Sequence, residues 1–164
     1  MKKILFFAAL FLLFSCGSKQ ENSKDTAVVS SLIDYSDLPA FSPLTAAVDS
    51  VLLNWPTYQA LDSRMGALSL VVSVPDLKIL VAELLEKEQS ILKEGYPKAF
   101  NLPAIKSRQR VLRTFLLKAQ AQILLDQDPR GATEEVIVAF NALRDQMNLL
   151  LAPKIDLNNL EDEF

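Results

Sequence analysis

Histidine is absent from the 164 residues, and there is one cysteine, Cys16. These two facts remove much catalytic chemistry at once. A Ser-His or Cys-His pair cannot form, nor a histidine-ligated haem, nor the Glu-x-x-His pairs of di-iron bundles. A catalytic zinc site normally draws on histidine or thiolate ligands, and the chain offers almost none. Carboxylate-only or lysine-based chemistry stays open in principle, but no cluster marks it. No catalytic residue, metal ligand or cofactor is therefore assigned, and the chain is expected not to be an enzyme.

One stretch imitates a calcium loop. Asp126-x-Asp128-x-Arg130-Gly131 has glycine at the sixth position of an EF-hand pattern. The fifth position holds a cation, Arg130, where an oxygen ligand belongs, and the twelfth is Ile137 in place of a bidentate glutamate. The mismatches fall on the positions that hold the ion, so an ordinary Asp-Pro turn is expected.

The remaining candidates are cations. Lys106, Arg110 and Arg113 recur at i, i+4 and i+7, a basic stripe along one helix face. It suits an acidic partner or lipid phosphates, or it pairs with Glu86 and Glu94 of the preceding helix. Arg64 lies between Leu61 and Leu68, and Arg108 between Ile105 and Leu112, each on or beside an apolar face. A cation there snorkels to water, meets a buried carboxylate, or grips the carboxylate of a ligand.

Helices must position these groups. Leu, Ala, Lys, Glu and Gln are plentiful and glycine is scarce, a composition that favours helix. After Ser42-Pro43, a helix-start signal, an apolar stripe runs Leu44, Val48, Val51, Trp55, Tyr58, Leu61, Met65, Leu68, Val72 at alternating spacings of three and four. Pro56 interrupts it without a change of phase, which predicts one helix kinked near Asn54–Thr57. Further helices are expected over Leu77–Glu94, closed by Gly95, over about Pro103–Leu125 with Asn101 as cap, and from Thr133 to about Leu151. Short turns between them predict an all-α domain, an antiparallel four-helix bundle over 42–153. Trp55-Pro56-Thr57-Tyr58 and Tyr96-Pro97-Lys98-Ala99-Phe100 are expected to close the ends of its core or to line a small pocket. An acidic tail, 154–164, follows.

The first residues have a different character. Lys2 and Lys3 precede Ile4–Phe14, eleven apolar residues, followed by Ser15-Cys16. As a helix this run reaches about 16 Å, half of a bilayer core, so it reads as a secretory leader and not a span. Leu13-Phe14-Ser15-Cys16 resembles the lipobox of bacterial lipoproteins, Leu-x-(Ser/Ala/Gly)-Cys. Phe14 is bulkier than the residue usual in the open position. The resemblance covers about sixteen residues. It implies cleavage between Ser15 and Cys16, removal of 1–15, and acylation of Cys16 with anchoring in a bilayer. The segment 16–41 then serves as lipidated tether and arm, with Thr26–Phe41 packing on the domain as an irregular arm or short helix.

Formal charge is −3, falling to −5 once Lys2 and Lys3 leave. Nucleic acid is thus excluded as a partner. The chain is similar in type to small helical lipoproteins of Gram-negative envelopes, which implies a periplasm-facing, lipid-anchored protein, with the outer membrane favoured. Two functions stay open. One is an interaction or structural module docking on an envelope protein. The other is a small-anion-binding module using Arg64 or Arg108.

Overall fold

Proline decides where the first helical segment divides. In the computed structural model, which describes residues 35 and 37–153, α1 (Ala46–Leu52) and α2 (Pro56–Gly66) are separate helices. The residue before a proline is driven out of helical geometry, and Trp55 accordingly has φ −127° and ψ 73°. The expected kink is therefore a full break. Phase survives it, because Val48, Leu52, Trp55, Tyr58, Leu61, Met65 and Leu68 all remain buried. The helix-start signal at Ser42-Pro43 acts one turn later, since Thr45 is the cap and accepts from the Val48 N–H.

A 3₁₀ turn, Ala67–Leu70, leads to α3 (Val74–Glu94). Ser73 caps α3 by accepting from the Asp76 N–H and donating back to the Asp76 carboxylate. Gly95 ends it at φ 94°, left-handed backbone that only glycine adopts freely. Next comes α4 (Pro103–Leu124), with Pro103 in its first turn and Leu102 as an uncapped boundary, so Asn101 is not the cap. The last helix, α5 (Arg130–Leu151), starts three residues before Thr133. Thr133 is buried and donates to the Pro129 carbonyl, inside the helix and not at its cap.

Connection lengths fix the directions. Short connections make each of α2 to α5 antiparallel to the next, and the pairs Arg64–Glu83, Arg113–Glu88 and Lys118–Glu135 tie consecutive helices together. The domain is an all-α, four-helix bundle, with α1 packed across α5. One end carries Ala67–Ser73 and the turn 125–129; the other carries the break before Pro56 and the loop 95–102. Trp55 closes that second end. Its ring lies 5.1 Å from Tyr58, 5.7 Å from Tyr96 and 6.0 Å from Phe100, and its Nε1–H donates to the Gly95 carbonyl. These aromatics seal the core.

An extended arm, 37–45, precedes α1 and runs alongside α5. Tyr35 is buried and hydrogen-bonded to Thr133, and Asp37 meets Arg130. Phe41 packs edge-on against Phe140. Asn141 accepts from the Ser42 N–H and donates to the Ala40 carbonyl, both at 2.8 Å. Asn148 does the same for Thr45 and Pro43, both at 2.9 Å. The packing arm expected from Thr26–Phe41 thus takes an irregular form over its described part.

The leader 1–15, the Ser15-Cys16 junction, the rest of the tether and the tail 154–164 lie outside the described residues. Among the described residues, no helix is long and apolar enough to cross a membrane.

Candidate functional site

The two cations on apolar faces meet different fates. Arg64 leans one position off the seam, because the buried slot beside it is Met65. Its guanidinium reaches Glu83 on α3, with both side chains about two-fifths exposed. It therefore makes a surface ion pair and has no separate call for a ligand anion. Arg108 is likewise displaced by one, since Gln109 takes the buried slot. Arg108 is exposed and has no carboxylate partner among the described residues.

Arg108 borders an open groove of about 670 Å³ between α4 and α5. Val111 and Phe115 of α4 face Val138, Ala139 and Ala142 of α5 along its floor. Pro39 of the arm reaches its edge. At mid-length Lys118 and Glu135 form an ion pair at 2.5 Å. Toward the turn end lies Gln122, whose Oε1 is buried without a hydrogen-bond partner. The groove thus offers an unpaired cation at one end and an apolar floor. That set can receive an extended or helical segment with an acid opposite Arg108.

The basic stripe does not act as one surface. Lys106 is half-buried, its ammonium 5.3 Å from the centre of the Tyr96 ring. Arg113 is turned onto Glu88, and Arg110 alone of the three is exposed. The expected partners Glu86 and Glu94 are both exposed instead.

Glu88 is the residue that sequence reasoning missed. Its side chain has no exposure, yet it carries a carboxylate. Gln109 Nε2 donates to it at 2.9 Å and Arg113 Nη1 at 2.5 Å. Gln109 Nε2 also reaches the Glu88 carbonyl, and Tyr96 donates its hydroxyl to Gln109 Oε1. Burial first, and the Glu88 charge second, push the Tyr96 phenol up, which keeps it a donor. A signal for this network exists in the sequence. The buried positions of α3 run 77, 80, 81, 84, 88, 91, and those of α4 run 105, 109, 112, 116, 119, 123. Glu88 and Gln109 are the polar members of two otherwise apolar series, and they face each other.

A second polar cluster joins α2 to α5. Asp62 and Arg144 approach to 3.9 Å, and Arg144 lies 5.7 Å from the Phe140 ring centre. Tyr58 Oη, Asp62 Oδ1 and Arg144 Nε are buried without hydrogen-bond partners. Burial raises the Asp62 carboxyl despite the lowering effect of Arg144, and burial raises the Tyr58 phenol above its ordinary value.

The calcium-like stretch is a turn over 126–129 and enters α5 at Arg130. Asp128 Oδ1 accepts from the Arg130 N–H, and Asp126 takes a left-handed backbone, φ 52°. Among the described residues, no group of three histidine, cysteine, aspartate or glutamate side chains is arranged to hold a metal ion. No family model, curated protein or solved structure matches the chain.

Proposed function

We propose that this is a lipid-anchored envelope protein whose helical domain docks onto another protein through the α4–α5 groove. The anchor is Cys16, acylated after cleavage behind Ser15, as the Leu13-Phe14-Ser15-Cys16 resemblance implies. The observation that carries the docking reading is Arg108, an exposed and unpaired cation at the mouth of an open, apolar-floored groove. The partner segment is amphipathic, with an acidic residue near the Arg108 end. Val111, Phe115 and Val138 would take its apolar side.

Small-anion binding is the second reading, and Arg108 is again its support. Arg64 no longer contributes, being satisfied by Glu83. An open groove leaves a small anion largely in water, where one guanidinium holds it weakly. The geometry therefore favours a polypeptide.

The test places a photo-crosslinking residue at Val138 of the full chain in native membranes, with Ile79 on α3 as an outward-facing control. One discrete adduct from Val138, absent from Ile79 and lost in Arg108→Glu, supports docking. No adduct from Val138, together with a thermal shift on adding acetate, citrate or inorganic phosphate that Arg108→Glu abolishes, supports the anion reading and overturns docking.

A further inference from the structure

The end of the bundle that receives the tether is also an apolar tip. The chain enters the described domain at Tyr35, which is hydrogen-bonded to Thr133 in the first turn of α5. At that end lie two neighbouring turns. One holds Leu70 and Val72, 78% and 59% exposed; at the other, Leu124 ends α4 and Leu125 follows it, 61% and 67% exposed. The pairing of Glu88 with Gln109 and Arg113 places the start of α3 level with the end of α4, so the two turns lie side by side. Four large, exposed apolar side chains are thus gathered at one end of the domain.

We infer that Leu70, Val72, Leu124 and Leu125 rest in the headgroup region of the bilayer that holds Cys16. This inference rests on the anchored reading above. Nineteen steps along the chain separate Cys16 from Tyr35, which keeps the entry point within about 65 Å of the lipid. Of the two ends, this one is where the chain arrives. Loop-tip leucines lose water when they enter the interface, and the bundle then stands upright with α4 and α5 along the membrane normal. The Arg108 end of the groove faces away from the tip, while its Gln122 end comes down to the tip.

Charge selects the lipid. Asp37, Asp76, Asp126 and Asp128 lie at the tip, against Arg64, Lys78 and Arg130, and Arg64 is paired with Glu83. Arg130 is already engaged with Asp37 and Glu134. An acidic rim is repelled by anionic headgroups, so the contact favours zwitterionic ones such as phosphatidylethanolamine.

The experiment uses full-length acylated protein reconstituted into vesicles of phosphatidylethanolamine and phosphatidylcholine. An environment-sensitive fluorophore is attached at Leu124→Cys, or at Lys98→Cys on the opposite end. Acylated Cys16 has no free thiol, so each variant carries one label. Nitroxide lipids should quench the label at 124 at least twofold more than that at 98. Replacing half of the lipid with phosphatidylglycerol should reduce the difference. Equal quenching in a protein that mass spectrometry shows to be acylated overturns the tip contact and leaves the anchor standing. A free Cys16 thiol, seen as a second label and as unmodified mass, overturns the anchor and this inference with it. Quenching that grows with phosphatidylglycerol overturns the lipid preference.

Discussion

Asn141 holds Ser42 by its backbone, accepting from its N–H at 2.8 Å while donating to the carbonyl of Ala40. Asn148 repeats the arrangement on Pro43 and Thr45. The register follows from two rises. Seven residues of helix climb about 10.5 Å. Three residues of extended chain climb about 10 Å. Asparagines seven apart therefore meet peptide groups three apart. Each amide presents a donor and an acceptor side by side, as a neighbouring strand would.

Asn141→Asp and Asn148→Asp each keep the acceptor and lose the donor. Each should destabilise the domain by about 1 kcal/mol. The sites are two helical turns apart and share no partner, so the double variant should lose the sum. Urea midpoints of the three variants check this, and a double variant no worse than either single one would contradict it.

Arg113→Met leaves the Glu88 carboxylate buried with only Gln109 beside it. A stranded buried charge of this kind costs about 3 kcal/mol. Adding Glu88→Gln removes the charge and keeps an acceptor for Gln109, so it should restore at least half of the loss. Chemical denaturation of the single and double variants measures the difference. No recovery in the double variant would mean that Arg113 acts through packing alone.

Asp126→Gly should stabilise the protein. Asp126 stands where a helix usually ends on glycine, and the Gln127 N–H closes on the Gln122 carbonyl at 2.9 Å. A side chain in this left-handed geometry costs about 1 kcal/mol. Removing the negative charge from a helix C-terminus helps further. The expected gain is about 1 kcal/mol, read as a rise in thermal midpoint.

Tyr58→Phe removes a buried hydroxyl that has no partner. The ring stays stacked between Trp55 and Phe140. Stability should be unchanged or higher, because no hydrogen bond is lost and an unmet group disappears. A clear loss of stability would show that the hydroxyl is bonded to water.

Asp62 sets a pH dependence. Burial raises its folded-state carboxyl above the ordinary 3.8, with Arg144 opposing. Its protonated form is therefore favoured by folding. That contribution is full below pH 3.8 and fades as pH climbs through the higher folded value. Asp62→Asn should thus gain stability relative to the parent as pH increases from 3.5 to 7. Urea midpoints across that range check the sign, and a gap that narrows with pH would reverse the argument.

The stripes were legible because the core uses one periodicity throughout. Val136, Ile137, Phe140, Leu143 and Met147 are all buried, as their spacing requires. Gly95 and Pro103 fall where helix ends demand them. Boundaries set by side-chain hydrogen bonds were less legible. Ser42 and Thr45 are both good caps, and the choice between them depends on Asn141 engaging the backbone of Ser42. Arg108 and Arg64 read as seam residues because each is one position from a buried slot, an offset smaller than the precision of an apolar stripe. Glu88 hid behind a general rule that glutamate faces water. Its partner Gln109 lies twenty-one residues away, and only the antiparallel register brings the two together.

The arm laid along α5 also settles how the domain would carry load. It enters near Thr133 and is gripped at Asn141 and again at Asn148, so its axis follows the helix. Tension on the preceding chain, directed along that axis, strains both grips together in shear. Peeling them singly would need a sideways pull. An arm joined in this way resists being stripped from the bundle far better than its few hydrogen bonds would suggest.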